Sequence, residues 1–140
     1  MNIIVDTSVW SLVLRRNHVD EHNPYVIAFR SHLEKGDCFF LLGSILQELL
    51  DGIKSEHSFE YLVKLLKPFP LVPISRETYI LAARLRNQLR KKGVQASPVD
   101  FLISAASIEH EYPLLTADHD FLLIAKYCSL SLISFPLVNK

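Results

Sequence analysis

The chain has 140 residues, 49% of them hydrophobic, and its 15 basic and 15 acidic residues cancel. This length and composition favour one globular domain with a sizeable core, which we assign to residues 1–140. Passive nucleic-acid-binding modules are typically basic, whereas a neutral enzyme can concentrate its acids at a metal site. No apolar run reaches the roughly 18 residues that span a bilayer, and the first residues do not resemble a signal peptide, so we expect a cytoplasmic protein without membrane contact.

Short apolar strands alternate with helices along the chain. In chain order the pattern predicts a strand over 2–5, helices over 8–15 and 23–35, a strand over 38–42, helices over 44–54, 58–67, 76–92 and 97–109, a strand over 114–116, a helix over 118–127 and a strand over 130–134. This alternation predicts an α/β fold, a three-layer α/β/α domain with a central parallel sheet. In such sheets ligands bind beyond the carboxyl ends of the strands.

Two acids stand where this rule expects chemistry. Asp6 directly follows the first strand, and Asp118 follows the strand over 114–116. Each has a structural alternative, because an aspartate between a strand and a helix is also a good N-cap. Asp120 competes with Asp118 for the capping role, and Asp118 is closer to the strand end.

Asp100 lies near the start of a helix that is apolar nearly all round, which is typical of a buried helix. At about 100° per residue, Asp100, Ser104 and Ser107 share a stripe roughly 60° wide. We expect this stripe to face the acid pocket or another polar neighbour. The alternative is that Asp100 only complements the positive end of the helix dipole.

The helix over 44–54 offers a fourth acid. Glu48 lies at one shoulder of its apolar face and Gln47 at the other, so periodicity alone does not choose between them. Asp51 points nearly opposite the apolar face, and we expect it to be solvated. A surface position remains the structural alternative for Glu48.

Clustered carboxylates suit a phosphodiester-cleaving metal site, since Mg²⁺ prefers carboxylate and water oxygens. Two ions about 4 Å apart can activate a water and stabilise a leaving oxygen. Without cations such acids repel one another, so we expect raised pKa values or ready metal binding. The sequence contains no Gly-rich phosphate loop, His-Glu-x-x-His or Gly-x-Ser-x-Gly motif.

Four segments in order resemble the PIN-domain family and, within it, the VapC-type toxins. They are IVDTSVW at 4–10, QELLDG at 47–52, SPVDFLISAA at 97–106 and LLTADHDF at 114–121. Each is weakly specific alone, but the four together span nearly the whole chain. Two departures are small: Ser104 stands where alanine is common in the family, and Ser-Pro-Val precedes Asp100.

The resemblance implies a metal-dependent endoribonuclease that hydrolyses RNA with a metal-activated water. It makes Asp6, Glu48, Asp100 and Asp118 the catalytic, metal-binding acids for Mg²⁺ or Mn²⁺, with Asp120 as a less constant extra ligand. It implies that Thr7, Ser8 and Thr116 line the pocket. It also implies a homodimer, an RNA substrate and a VapB-like antitoxin encoded alongside. The rival hypotheses are a PIN nuclease in RNA processing and a catalytically idle PIN domain that only binds a partner.

Basic residues are grouped at 84–92, ahead of the third motif. They offer contacts for RNA phosphates, although only Arg86 and Arg90 share one stripe of the predicted helix. A solvated helix end is the alternative. Arg15 and Arg16 are equally open to either interpretation.

Overall fold

A short parallel sheet forms the centre of the protein, which is described by a computed structural model over residues 1–15 and 17–134. Its strands are β1 (Asn2–Val5), β2 (Cys38–Phe40) and β3 (Leu114–Leu115), in the spatial order β2-β1-β3. All pairs are parallel. The apolar strands fit a sheet covered on both faces, since Ile3, Ile4 and Val5 are fully buried.

Seven helices are described around this sheet. They are α1 (Thr7–Val13), α2 (Pro24–Glu34), α3 (Gly43–Leu50), α4 (Glu56–Leu66), α5 (Arg76–Arg90), α6 (Pro98–His110) and α7 (His119–Ala125). The alternating order confirms the predicted α/β class with a central parallel sheet. Among the described residues, no helix combines the length and the apolar character that crossing a bilayer requires.

The helix bounds follow local capping chemistry. Asn23 accepts a hydrogen bond from the backbone of Tyr25, with Pro24 at the first helical position of α2. Gly93 ends the α5 region with a φ of +80°, a conformation that favours glycine. Helix α3 ends at Leu50, four residues before the predicted end at 54, because the chain turns at Asp51 and Gly52.

The edges of the sheet differ from the prediction. The last predicted strand, over 130–134, is reduced to a single parallel bridge between Leu132 and Leu114. At the other edge, Leu71 forms a parallel bridge with Leu41 that was not predicted. Prolines 70 and 73 flank this segment, and an edge position tolerates proline because one side of the backbone needs no partner.

An aromatic cluster fixes α1 against the sheet. The Trp10 indole N–H donates to the carbonyl of Val5 at 3.0 Å, and the Trp10 ring packs edge-on against Phe29 and Phe69 at centroid distances of 5.2 and 5.0 Å. Because Trp10 is only 2% exposed, this contact holds the first turn of α1 rigidly. The residues between Val5 and Trp10 are therefore presented at the carboxyl end of β1.

Helix α6 is buried as predicted, and its two serines face polar neighbours other than the acid pocket. Ser104 Oγ donates to the backbone carbonyl of Asp100, and Ser107 Oγ donates to that of Tyr112. Both hydroxyls are therefore satisfied by polar backbone atoms rather than by an acid pocket. The polar stripe therefore does not continue into the acid pocket beyond Asp100.

Candidate metal centre

The acids meet at the carboxyl end of the sheet because β1 and β3 end side by side. The backbone N–H of Asp6 donates to the carbonyl of Leu115 at 2.9 Å. Asp6 then caps α1, and Asp118 caps α7. Each carboxylate has two oxygens, so a capping hydrogen bond to one leaves the other for a ligand. Capping and a site role are compatible for both residues.

Asp6 is the buried member of this group, at 6% exposure. Its Oδ2 accepts hydrogen bonds from Ser8 Oγ at 2.7 Å and Thr116 Oγ1 at 2.9 Å, and a longer one from the Ser8 N–H at 3.4 Å. Within the described residues, all hydrogen bonds to the Asp6 carboxylate go to this oxygen. The carboxylate is therefore fixed by Oδ2, which leaves Oδ1 as the oxygen available to a ligand.

Ser8 and Thr116 connect the two strand ends. Ser8 Oγ accepts from the N–H of Ala117 at 2.9 Å, and Thr116 Oγ1 accepts from the N–H of Asp118 at 3.0 Å. Since both hydroxyls also donate to Asp6, they set the position of Asp118 relative to Asp6. Two short polar side chains thus fix the spacing of acids more than 100 residues apart in the sequence.

Asp100 lies in the first turn of α6, in a reciprocal cap with Ser97. Its Oδ2 accepts from the Ser97 N–H, and its own N–H donates to Ser97 Oγ, both at 3.1 Å. Burial raises the pKa of the Asp100 carboxyl above its usual 3.8, and the charges of Asp118 and Asp120 act in the same direction. The hydrogen bonds with Ser97 oppose this rise. A nearby cation would relieve the repulsion.

Three of the acids form a tight cluster. Asp100, Asp118 and Asp120 each offer a carboxylate oxygen, and these oxygens all lie within 4.8 Å of one another. The resemblance to PIN domains implied only an additional, less constant ligand at Asp120. Its signal was its position two residues after Asp118 in the first turn of α7, where the Asp120 N–H also donates to Asp118 Oδ1.

Glu48 reaches the same region from α3. Its Oε2 accepts a hydrogen bond from Thr7 Oγ1 at 3.0 Å, next to Asp6 in the chain. Its side chain is exposed to solvent, as the surface alternative proposed, yet it lies beside the other acids. Gln47 lies at the same wall. Asp51, which we expected to point away, is exposed and also lies at this wall.

These residues enclose one open space, which we call the acidic cavity. Its volume is about 560 Å³. Its lining residues are Asp6, Thr7, Ser8, Ser44, Gln47, Glu48, Asp51, Ser97, Val99, Asp100, Ile103 and Asp118. The structure thus brings the four predicted acids to one cavity, while Thr116 acts through Asp6 and is not part of the lining.

The charge of the acidic cavity is uncompensated. Five carboxylates line it, and within the described part of the chain no Lys, Arg or His side chain does so. Arg86 and Arg15 line two other surface grooves, and Arg16 lies outside the described residues. The basic residues of 84–92 do not neutralise the acids.

The donor set fits a hard divalent cation. Mg²⁺ takes oxygen ligands at about 2.1 Å, so oxygens around one ion lie about 3 to 4 Å apart. The Asp100, Asp118 and Asp120 oxygens, within 4.8 Å of one another, need only a small inward movement to reach this geometry. Asp6 and Glu48 lie around the same cavity but outside the tight cluster.

Comparisons with known proteins identify the family and the fold. The family model for the PIN domain matches residues 3–127. No curated protein sequence matches the chain.

Solved structures of VapBC proteins share the fold. VapBC2 from Rickettsia felis, bound to a promoter DNA fragment, has a TM-score of 0.75 and 18% identity, covering 97% of this chain and 100% of that one. VapBC-1 from nontypeable Haemophilus influenzae has a TM-score of 0.73 and 19% identity, with coverages of 95% and 97%. VapBC-5 from Mycobacterium tuberculosis, a member of the VapBC family of toxin-antitoxin systems, has a TM-score of 0.68 and 17% identity, with coverages of 96% and 98%.

Proposed function

The chain belongs to the PIN domain family, and we propose that it is a metal-dependent endoribonuclease acting as the toxin of a VapBC-type toxin–antitoxin pair. One observation carries the proposal: five carboxylates line a single cavity without a basic side chain among the described residues. Carboxylates this close together repel one another, which is unfavourable unless a cation from solution binds among them. PIN domains are generally nucleases, and such a cation supports phosphodiester hydrolysis.

In this proposal Asp6, Glu48, Asp100 and Asp118 hold Mg²⁺ or Mn²⁺, with Asp120 as a further ligand. When bound, such an ion supplies an activated water and stabilises the charge that develops on the phosphate. Asp6 offers Oδ1 in a fixed direction, because Ser8 and Thr116 hold its other oxygen. Less movement is then required of the site when the ion arrives.

The raised pKa of Asp100 also makes a proton compete with the metal for this carboxylate. Its carboxyl holds a proton more tightly than an ordinary aspartate, because it is half-buried beside Asp118 and Asp120. That proton must leave before the oxygen can coordinate an ion, so metal and proton compete for Asp100. The cap from Ser97 keeps the carboxylate oriented in either state.

The decisive experiment is cleavage of a mixed RNA pool by purified protein freed of any antitoxin. We expect cleavage by wild type with Mg²⁺ or Mn²⁺, loss with EDTA, and recovery on adding either ion back. Asp100→Asn keeps the shape of the side chain but removes a charge, and it should lower cleavage by orders of magnitude. Asp37→Asn is the matched control, since Asp37 lies away from the acidic cavity and bonds to His32.

Equal cleavage by wild type and Asp100→Asn, or cleavage indifferent to EDTA, would contradict the nuclease proposal. RNA binding without cleavage under every metal condition would favour an idle binding domain instead.

The toxin role rests on the likeness to VapBC structures. It implies a cytoplasmic protein inhibited by a VapB-like antitoxin encoded next to it. Expression of the chain alone should arrest growth and produce cellular RNA fragments, whereas the Asp6→Asn variant should do neither. Normal growth with active wild-type protein would favour an RNA-processing enzyme.

We also propose a homodimer. Apolar side chains are exposed on several helices, including Ile27, Tyr61 and Leu122. Light scattering at micromolar concentration should give about twice the 16.0 kDa chain mass. A monomer at that concentration would contradict it.

A further inference from the structure

A second groove lies between α5 and α6, and we call it the α5–α6 groove. Its volume is about 340 Å³. Along α5 it is lined by Tyr79, Ala82, Ala83, Arg86 and Asn87, which follow the i, i+3, i+4, i+7, i+8 spacing of one helix face. The α5 stripe therefore has two small residues in its middle, an aromatic ring at one end, and a cation with an amide at the other.

The floor and far wall of this groove come from α6. Phe101 is 1% exposed, Leu102 is half-buried, and Val99 is 40% exposed. The two alanines of α5 leave the space that larger side chains would fill against these residues. The result is an apolar slot with polar groups only at its α5 rim.

The α5–α6 groove adjoins the acidic cavity. Val99 lines both spaces, and it is followed directly by Asp100, one of the three clustered acids. Consecutive Cα atoms are 3.8 Å apart, and consecutive helical side chains diverge by about 100°. Val99 thus separates the two spaces. An RNA strand with one phosphate at the clustered acids therefore has a neighbouring nucleotide within reach of the groove.

We propose that the α5–α6 groove is a nucleobase subsite, which takes one base of the RNA strand beside the phosphate at the acidic cavity. This inference rests on the proposed function. The exposed Tyr79 ring offers a stacking surface, and the Asn87 amide offers both a donor and an acceptor to a base edge. Arg86 contacts the phosphate that flanks this base.

The charges of the two spaces are complementary to the two parts of a nucleotide. No acid is among the described residues that line the α5–α6 groove, whose one cation is Arg86, whereas the acidic cavity accepts phosphate only through bound cations. A flat base with an attached phosphate matches an apolar slot with a basic rim. The volume lies near the lower limit of ligand sites, which suits a single base better than a partner helix.

The test uses an RNA oligonucleotide whose cut site is mapped in the RNA-pool assay. Abasic nucleotides are placed one at a time on either side of the cut. In the wild type, one position should lower kcat/KM by about five- to one-hundred-fold, the range expected for a lost base–aromatic contact. Tyr79→Leu should shrink that penalty to about twofold or less, because the ring is already absent. Tyr79→Phe keeps the ring and should retain the full penalty.

Arg86 has a matched control on the same helix. Arg86→Ala and Arg84→Ala each remove one exposed cation from α5, but only Arg86 lines the groove. Arg86→Ala should reduce the slope of log Kd against log salt by about one, and Arg84→Ala should leave it unchanged. Kd is measured by fluorescence anisotropy with Mg²⁺ present and with a non-hydrolysable linkage at the mapped cut site. The cavity then holds the cations that phosphate binding requires, and the readout does not depend on catalysis.

The outcomes separate this inference from the proposed function. If wild type neither binds nor cuts RNA, the proposed function fails in the unmodified protein, and the subsite fails with it. If wild type cuts but Tyr79→Leu keeps the full abasic penalty, the nuclease stands and the subsite is overturned. The subsite is also overturned if Tyr79→Leu changes the oligomeric mass while the abasic penalty stays the same. That result would assign the groove to a contact between protein chains.

Discussion

Two aspartates at opposite ends of the same sheet, Asp37 and Asp100, have pKa values shifted in opposite directions. Asp37 precedes β2, where its Oδ2 lies 2.8 Å from His32 Nδ1 and its Oδ1 lies 3.0 Å from the Met1 ammonium. The hydrogen bond from His32 and then that from the ammonium hold the pKa of the Asp37 carboxyl below its usual 3.8. Asp100, at the other end, has a raised pKa because of burial and neighbouring acids.

The difference shows which acid is structural. Asp37 has partners within the chain, so its charge is compensated on folding. Asp100 faces Asp118 and Asp120, and within the described residues no cation lines its cavity. An acid group that the fold leaves uncompensated is suited to a cation from solution.

Supplying the acidic cavity with a cation of its own should remove its need for a metal. In Asp118→Lys the ammonium lies beside Asp100 and Asp120, so RNA cleavage should fall by orders of magnitude. The rise in Tm that Mn²⁺ produces in wild type should also disappear, since binding to the native state is the source of that rise. Calorimetry with and without Mn²⁺ checks this, and a persisting Mn²⁺ shift would place the ion elsewhere.

Loosening Asp6 should have a smaller effect. Ser8→Ala removes a 2.7 Å hydrogen bond to Asp6 Oδ2 and the acceptor for Ala117 N–H. Loss of such a supporting contact typically costs about 10- to 100-fold in metal affinity or activity. Ser11→Ala, at an exposed position of α1, is the control. Titration with Mn²⁺ measures both variants, and equal affinities would refute a supporting role for Ser8.

The pH dependence of stability should reveal Asp100. A raised pKa means that the folded state holds the Asp100 proton more tightly than the unfolded chain does. Its contribution to stability is therefore complete below the unfolded value near 3.8, and it is lost as pH rises through the higher folded pKa. Mn²⁺ competes with this proton, so the Mn²⁺-induced rise in Tm should grow with pH over that window. In Asp100→Asn we expect the dependence to flatten; an unchanged profile would exclude Asp100 as its source.

The smallest effect is expected at Asp37. A lowered pKa gives stability that is present above the unfolded value and lost as pH falls through the folded one. Asp37→Asn should therefore lower Tm by only a few degrees at neutral pH, because ion pairs near the surface contribute little. RNA cleavage should be unchanged. A loss of cleavage comparable to that of Asp100→Asn would break the contrast between the two ends of the sheet.

The α/β class, the order of the elements and the positions of acids at strand ends and helix starts could be predicted from the sequence alone. These features are local: apolar runs define strands, and caps such as Asn23 and Ser97 define where helices begin. Asp6 could be identified because it directly follows a strand, Asp118 because it lies shortly after one, and Asp100 because it interrupts an apolar helix.

Which acids lie close together depends on how the elements pack, and it could not be predicted from the sequence. The oxygen of Asp120 joins those of Asp100 and Asp118 because α6 and α7 begin at the same end of the sheet, a distance that no local pattern contains. The tertiary structure also shows that Ser104 bonds to its own helix, and that Tyr79 shares a groove with α6. Periodicity assigns a side chain to a face of its element, whereas contacts between elements depend on how those faces pack.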